Sequence, residues 1–362
     1  MASIGFWIKN ARSISLPQSA LPCLTAVVLC IGQEGLVWWL ALPILLGVCA
    51  VHLGMNLADD YFDYKHDSRT RADISSSVRA RMEKCHYLVS ETSNHEPSDH
   101  SQPKATLSQL GWAIVGFLSF AALMGAIAFL AQWLIHGWQA AMSIVLYAAL
   151  GLFVGINYSG KPLELGFHGL GELVIGLMFG PINMLGVQAA LTGNIFSWQM
   201  LCMSIAIGCM VTNIVYVHSV MEVDADAQLG KMTFARLLDK ISHRITTQSS
   251  HGLKIVFIAF FAIMPFALLG LGIALHWWSP WYLLTLLTLP MSVFLIHSTR
   301  LFTYGLPRND TPHWWMGPMG DWDKYKAAGI DWFLYRWLLA RNICTFFCLI
   351  LMIVHIAMRI IG

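Results

Sequence analysis

Long apolar stretches recur throughout this 362-residue chain and constrain its fold more than any other feature. A helix needs about 20 apolar residues to cross a bilayer, where its backbone polar groups must be satisfied internally. A content of 57% hydrophobic and 12% charged residues excludes a soluble protein. We therefore predict an all-α polytopic membrane protein with about nine transmembrane helices in a single domain, residues 1–362. The predicted spans lie at about 18–34, 35–57, 106–132, 138–158, 167–192, 197–218, 253–276, 279–300 and 332–360.

The basic residues predict the orientation, because the cytoplasmic flanks of membrane helices retain Lys and Arg. Of the 22 Lys and Arg residues, all but Arg359 lie in the N-terminal arm or in alternate connections and their flanks. This pattern predicts a cytoplasmic N-terminus in the cell inner membrane, cytoplasmic loops at about 58–105 and 219–254, and an interfacial flap at about 301–331. The net charge of +2, segregated in this way, does not indicate nucleic-acid binding.

A dense run of carboxylates follows the second predicted span, in the sequence NLADDYFDYKHDSRT. At about 100° per helical residue, Asn56 and the four acids after it occupy an arc of roughly 100° on one helical face. Four acids this close repel one another unless a cation lies among them, so the spacing favours a hard divalent ion such as Mg²⁺. The alternative is a solvated acidic helix cap. The four acids are Asp59, Asp60, Asp63 and Asp67.

A second acidic segment follows the sixth predicted span, in the sequence VHSVMEVDADAQLGK. Glu222 and Asp226 are four residues apart and share a helical face, whereas Asp224 points away if the helix continues. Gly230 and Lys231 follow, and a glycine beside an ammonium suits close contact with a phosphate. By the charge pattern both segments open onto the cytoplasmic face. Together they suit a metal-bridged diphosphate that is attached to a lipophilic group.

These residues resemble the signature motifs of the UbiA superfamily of intramembrane prenyltransferases. The sequence DDYFDYKHD at 59–67 is similar to the family's NDxxDxxxD, and residues 222–226 are similar to its second motif, DxxxD. The closest resemblance is to the 1,4-dihydroxy-2-naphthoate prenyltransferase branch of the menaquinone pathway. It is carried by KNARSISLPQSALP near the start, YSGKPLELGFHGLGEL at 158–173 and FGP at 179–181.

The resemblance implies a helix bundle around a central cavity, in which Mg²⁺ and basic residues hold the diphosphate of a polyprenyl donor. The implied partners are polyprenyl diphosphate, an aromatic acceptor and the lipid bilayer. Asp60, Asp63 and Asp226 are the implied catalytic residues, and Asp60 assists proton removal from the acceptor. The implied metal ligands are Asp59, Asp63, Asp67, Glu222 and Asp226. The implied substrate-binding residues are Arg12, Asn56, Arg69, Arg71, Tyr158, Lys161 and Lys231; setting the topology is the alternative role of the basic ones.

The sequence leaves three questions open. Asp59 and Glu222 stand where the family usually has Asn and Asp, and His218–Ser219 replaces an Asn pair that is common in the naphthoate branch. Another acceptor, 4-hydroxybenzoate or a haem-like ring, is therefore an alternative. A membrane transporter or a scaffold is the alternative from another class, although acids at helix ends favour an enzyme over a transporter. Glu172 is either an acceptor contact or a helix-cap or interhelical hydrogen bond.

Overall fold

The computed structural model describes residues 3–67, 87–88, 105–228, 231–245 and 250–361. Within these ranges the chain is helical and has no β-strand, and Leu88 and Ala105 form an isolated bridge. The helices are α1 (Ile4–Asn10), α2 (Pro17–Leu29), α3 (Ala41–Asp67), α4 (Leu107–His136), α5 (Trp138–Ser159), α6 (Gly171–Thr192), α7 (Trp198–Met221), α8 (Val223–Gln228), α9 (Phe234–Ile245), α10 (His251–Ala274), α11 (Pro280–Thr303), α12 (Trp322–Ala327) and α13 (Asp331–Ile361).

Among the described helices, eight are long and apolar enough to cross a membrane. They are α3 to α7, α10, α11 and α13, and they coincide with eight of the nine predicted spans. The first predicted span is instead a shorter apolar helical segment, Ser13–Leu29, which begins earlier than expected. Pro17 fits in its first turn, because the backbone amides there have no partner within the helix. The prediction of an all-α polytopic membrane protein is confirmed.

Helix α7 forms the centre of the bundle. It packs against α6, α10 and α13. Of its most apolar 18-residue stretch, 83% is buried inside the protein, compared with 6% for the corresponding stretch of α4. A helix that is apolar on every side can lie either in the centre of the bundle or against lipid, because lipid is as apolar as a protein core. Helix α7 therefore carries the second acidic segment at the end of a buried helix, whereas α4 presents its apolar side chains outward.

Glycines bring α6 and α7 into close contact. A Cβ atom at Gly180 would lie 2.4 Å from the carbonyl oxygen of Ser204, and one at Gly208 would lie 2.7 Å from the carbonyl oxygen of Gly176. Small residues commonly allow membrane helices to approach this closely. The contact holds the start of α6, which carries Glu172, beside the end of α7.

The connections at the two ends of the bundle are held by different contacts. At one end, the amide of Val37 donates to the carbonyl of Leu191 at 2.8 Å, and His355 lies 3.2 Å from the carbonyl of Ile31. At the opposite end α3, α5 and α7 terminate, and α6 begins. Both acidic segments lie at this second end, which we call the acidic end.

The connection between α11 and α13 is packed onto the bundle. Arg336 of α13 is fully buried, and its guanidinium donates to the two carboxylate oxygens of Asp310 at 2.7 and 3.1 Å. The Asn342 side chain donates to the carbonyl of Met316 at 2.8 Å. Trp314, by contrast, is 93% exposed. Side chains of α13 therefore hold the segment that the sequence predicts to be an interfacial flap.

Candidate active site

The first acidic segment lies on the last turns of α3. This helix is continuous to Asp67, so the backbone gives Asn56 and the four acids the predicted helical spacing. Three of these residues, Asn56, Asp59 and Asp60, have described side chains. The other predicted site residues of this region, namely the side chains of Asp63 and Asp67 and the whole of Arg69 and Arg71, lie outside the described residues.

Arg12 holds the N-terminal arm against this segment. Its Nη2 atom donates to the carbonyl of Asn56 at 2.9 Å and to the carboxylate of Asp59 at 3.1 Å, and it lies 3.3 Å from Oδ1 of Asp60. The Asn56 side chain donates in turn to the carbonyl of Ala11 at 2.9 Å. One guanidinium thus offsets the repulsion between two adjacent carboxylates. Contact of Arg12 with a diphosphate stays a prediction.

Asp60 is the most deeply buried acid of the described part, with 1% of its surface exposed. Besides the contact with Arg12, its carboxylate accepts a 2.8 Å hydrogen bond from the Tyr87 hydroxyl. The Tyr87 ring is buried against those of Phe6 and Trp7. A carboxylate held in this way orients Arg12, and its role in proton removal stays a prediction. Sequence reasoning missed Tyr87, because a single tyrosine in a polar loop carries no spacing signal.

Ser159 joins the end of α5 to the first acidic segment. Its hydroxyl donates to Oδ1 of Asp59 at 2.7 Å. The preceding Tyr158 ring lies beside Gly166 and Gly171, so the connection between α5 and α6 folds back on itself. The predicted substrate contact Lys161 is exposed in this connection.

The second acidic segment follows α7 at the same end of the bundle. The Glu222 carboxylate lies 2.7 Å from Nε2 of His218, one helical turn earlier. Asp226, on α8, is 7% exposed, whereas Asp224 is exposed to solvent. Of these two acids, Asp226 therefore faces the protein interior, whereas Asp224 faces solvent.

Two basic residues fasten the backbone of Asp226. The amide of Lys231 donates to the Asp226 carbonyl at 3.0 Å, and Nη1 of Arg236 donates to the same carbonyl at 3.1 Å. Arg236 also donates to the carbonyl of Lys231. Because Arg236 belongs to the first turn of α9, the position of Asp226 depends on the position of that helix.

Glu172 connects the start of α6 with the start of α9. It is 5% exposed, and its two carboxylate oxygens accept from the backbone amide of Phe234 at 3.1 Å each. The Ser219 side chain of α7, whose hydroxyl donates to the carbonyl of Val215 at 3.2 Å, lies beside the same carboxylate. Phe234 is the first residue of α9, where amides lack helical partners and negative charge is favourable. Of the two roles that the sequence leaves open, the structure shows the interhelical hydrogen bond.

A buried polar chain extends from the first acidic segment into the bundle. His52 of α3 is 4% exposed; its ring nitrogens lie 2.9 Å from the Ser15 hydroxyl and 2.7 Å from the Ser19 hydroxyl. Its ring stacks on that of Phe179, and Ser15 accepts a hydrogen bond from Asn56. Sequence reasoning missed this series of hydrogen-bonded side chains. The available signal was a histidine inside a predicted span, where polar side chains are costly.

The two acidic segments have the donor chemistry of a site for a hard divalent cation, because carboxylate oxygens are the ligands that Mg²⁺ prefers. Within the residues that the structure describes, no three acids, histidines or cysteines lie close enough together to hold an ion. The described carboxylates of Asp59 and Glu222 are engaged by Arg12, Ser159 and His218.

Comparison with known proteins decides the family. The sequence model of the UbiA prenyltransferase family matches residues 110–316, more than half of the chain. The chain belongs to this family. It is therefore a multi-pass membrane prenyltransferase, as the motifs predict, and it joins a family whose members generally depend on a divalent metal.

Several relatives of this UbiA family member cover most of its length. It is 26% identical over 277 residues to a 1,4-dihydroxy-2-naphthoate octaprenyltransferase of Mycobacterium tuberculosis, which is 75% of this chain and 83% of the relative. It is also 26% identical over 254 residues to a 2-carboxy-1,4-naphthoquinone phytyltransferase of Synechocystis sp., which is 70% of this chain and 68% of the relative.

Proposed function

We propose that this prenyltransferase transfers a polyprenyl group from polyprenyl diphosphate to 1,4-dihydroxy-2-naphthoate, as in menaquinone biosynthesis, with Mg²⁺ as its metal. The names of the relatives from Mycobacterium tuberculosis and Synechocystis sp. support a naphthalene-type acceptor. The motifs at 158–173 and 179–181 support the same branch.

The observation that carries this proposal is the placement of both acidic segments at one end of the bundle, joined through the connection between α5 and α6. At its start, Ser159 at the end of α5 contacts the first segment, and at its end Glu172 in the first turn of α6 holds α9, next to the second segment. Two sets of carboxylates would repel a bare anion. They suit a diphosphate that is accompanied by divalent cations, since such ions attract both the carboxylates and the diphosphate.

The proposed metal ligands would come from both segments. When bound, Mg²⁺ would supply positive charge that stabilises the departing diphosphate. Arg12 and Lys231 lie beside the first and second segment, and they would contact the anion as the bond between its oxygen and the allylic carbon breaks. Arg69, Arg71 and Lys161 are the further proposed contacts. The proposed ligands are Asp59, Asp63, Asp67, Glu222 and Asp226.

The acceptor would attack the allylic carbon through an electron-rich ring carbon. A carbon–carbon bond forms, and the ring carboxylate leaves as CO₂. Tyr61, Phe62 and Tyr158 lie on α3 and α5 at the acidic end, where their ring faces would stabilise the cationic carbon and exclude water. Asn56 would contact substrate, and Asp60 would assist removal of the phenol proton.

We also propose that the acidic end faces the cytoplasm and that the membrane is the cell inner membrane. The segregation of Lys and Arg supports this orientation. An N-terminal tag should be cleaved by added protease in inverted membrane vesicles and protected in right-side-out vesicles. The reverse pattern would contradict the orientation.

Incubation of the purified protein with Mg²⁺, radiolabelled polyprenyl diphosphate and a panel of aromatic acids tests the reaction. We expect a lipid-soluble adduct with the dihydroxynaphthoate, and its loss after chelation of the metal. Asp63→Asn and Asp226→Asn should each lower the rate by about 100-fold or more, whereas the exposed Asp323→Asn serves as the matched control. Undiminished rates in both site variants would overturn the metal assignment. An adduct with another ring alone would keep the enzyme and overturn the acceptor.

A further inference from the structure

The connection between α5 and α6 contacts both sides of the proposed site. It leaves α5 at Ser159, whose hydroxyl bonds to Asp59, and it enters α6 at Glu172, whose carboxylate accepts from the amide of Phe234. We call residues 158–172 the bridging segment. We infer that Glu172 is a positioning residue, which sets the distance between the two acidic segments and thereby the metal affinity of the site. This inference rests on the proposed function.

Glu172 acts on the second acidic segment through α9. Its carboxylate holds the first amide of that helix, and two residues later Arg236 holds the carbonyl of Asp226 at 3.1 Å. A movement of the start of α9 would therefore move Asp226 with it. Ser219 on α7 lies beside the same carboxylate, so three helices meet at one buried acid.

The bridging segment is packed too closely to absorb such a movement. Gly169 has a positive φ of 79°, and a Cβ atom there would lie 2.9 Å from Leu237 Cβ and 3.3 Å from the carbonyl oxygen of Thr233. A Cβ atom at Gly171 would lie 3.3 Å from the Tyr158 hydroxyl. The segment thus lies directly on α9 and on its own start, and the Ser159–Asp59 bond transmits its position to the first acidic segment.

The geometry of Glu172 points to positioning and not to direct metal ligation. Both of its oxygens are 3.1 Å from one amide, and only 5% of the residue is exposed. Groups that orient metal ligands typically change metal affinity by 10- to 100-fold when they are removed. This role requires a side chain long enough to contact the Phe234 amide more than it requires a negative charge.

Binding of Mn²⁺ to the purified full chain, measured by electron paramagnetic resonance without prenyl substrate, tests the inference. Glu172→Asp keeps the charge but is one methylene too short to reach the Phe234 amide. Glu172→Gln keeps the reach and one accepting oxygen but removes the charge. We expect Glu172→Asp to raise the Kd for Mn²⁺ by about 10-fold or more and Glu172→Gln by less than about threefold. Glu164→Asp and Glu164→Gln, in the same segment, are the matched controls and should leave the Kd unchanged.

Any other ranking of the two Glu172 variants by their Kd for Mn²⁺ overturns the inference. A larger effect of Glu172→Gln would mean that the charge attracts or binds the metal, and equal effects or none would mean that reach is irrelevant. If Glu172→Asp does not yield monodisperse protein, Ser159→Ala tests the other end of the bridging segment: a weaker affinity supports the inference, and an unchanged affinity overturns it. Wild-type protein that binds Mn²⁺ but forms no naphthoate adduct would overturn the proposed acceptor and leave the bridging role intact.

Discussion

The Ser159 hydroxyl and the Asp59 carboxylate, 100 residues apart in the chain, form a 2.7 Å hydrogen bond that joins α5 to the first acidic segment. The other carboxylate oxygen of Asp59 accepts from Arg12 at 3.1 Å. Asp59 is one of the positions at which the chain departs from the motif that it resembles, where asparagine is usual. The extra negative charge of this departure is therefore matched by a guanidinium from the N-terminal arm.

Arg12→Ala is expected to destabilise the protein by about 1–3 kcal/mol. The buried Asp60 would lose a cationic partner, and partial exposure of Arg12 keeps the effect below that of a fully buried pair. Arg12→Lys should lie between wild type and Arg12→Ala, because one ammonium cannot reproduce the contacts to Asn56, Asp59 and Asp60. Thermal unfolding in detergent measures both variants. The exposed Lys9→Ala is the control, and an equal loss there would contradict the argument.

His218→Ala is expected to raise the Mg²⁺ concentration for half-maximal activity by about 3- to 10-fold. The histidine lies 2.7 Å from the proposed ligand Glu222 and orients its carboxylate, but it is partly exposed, so the effect should be moderate. Metal titration of prenyl transfer measures the change. His243→Ala, at an exposed position on α9, should have no effect, and an unchanged requirement in His218→Ala would refute the orienting role.

Gly180→Ala is expected to destabilise the bundle by about 1–3 kcal/mol. Its new Cβ atom would lie 2.4 Å from the Ser204 carbonyl oxygen and 2.7 Å from Gly208 Cα, and backbone atoms cannot give way without separating α6 from α7. Gly125→Ala on α4 is the control, since a Cβ atom there meets nothing within 4 Å, and it should gain up to about 1 kcal/mol from helix propensity. Midpoints of unfolding in detergent compare the two. Equal stability of Gly180→Ala and wild type would show that the helices can separate freely.

Asp310→Asn is expected to destabilise the connection before α13 by about 3 kcal/mol. It removes the charged partner of the fully buried Arg336, whose guanidinium contacts both carboxylate oxygens. Limited proteolysis should then cut near the exposed Trp314 faster than in wild type. Asp323→Asn, exposed on α12, is the matched control. Cleavage at the wild-type rate in Asp310→Asn would show that the ion pair does not hold the segment.

Sequence patterns predicted eight of the long helices, because a run of apolar residues long enough to span a bilayer leaves few other structures possible. They were less informative at the N-terminus, where a short helix starts near Pro17 and Arg12 turns the chain with a positive φ of 56°. Hydropathy does not report such turns. His52 was also missed, since a single polar residue changes the hydropathy of a span very little.

The sequence by itself determined the membrane-spanning helices, the two acidic segments and the family, because each depends on local composition or on spacing within a few helical turns. Tertiary structure alone decided which groups hold the acids. Arg12 reaches Asp59 across 47 residues, and Glu172 reaches Phe234 across 62. Such contacts depend on how closely helices such as α6 and α7 approach, and that distance is set by side-chain packing between segments that are remote in the chain.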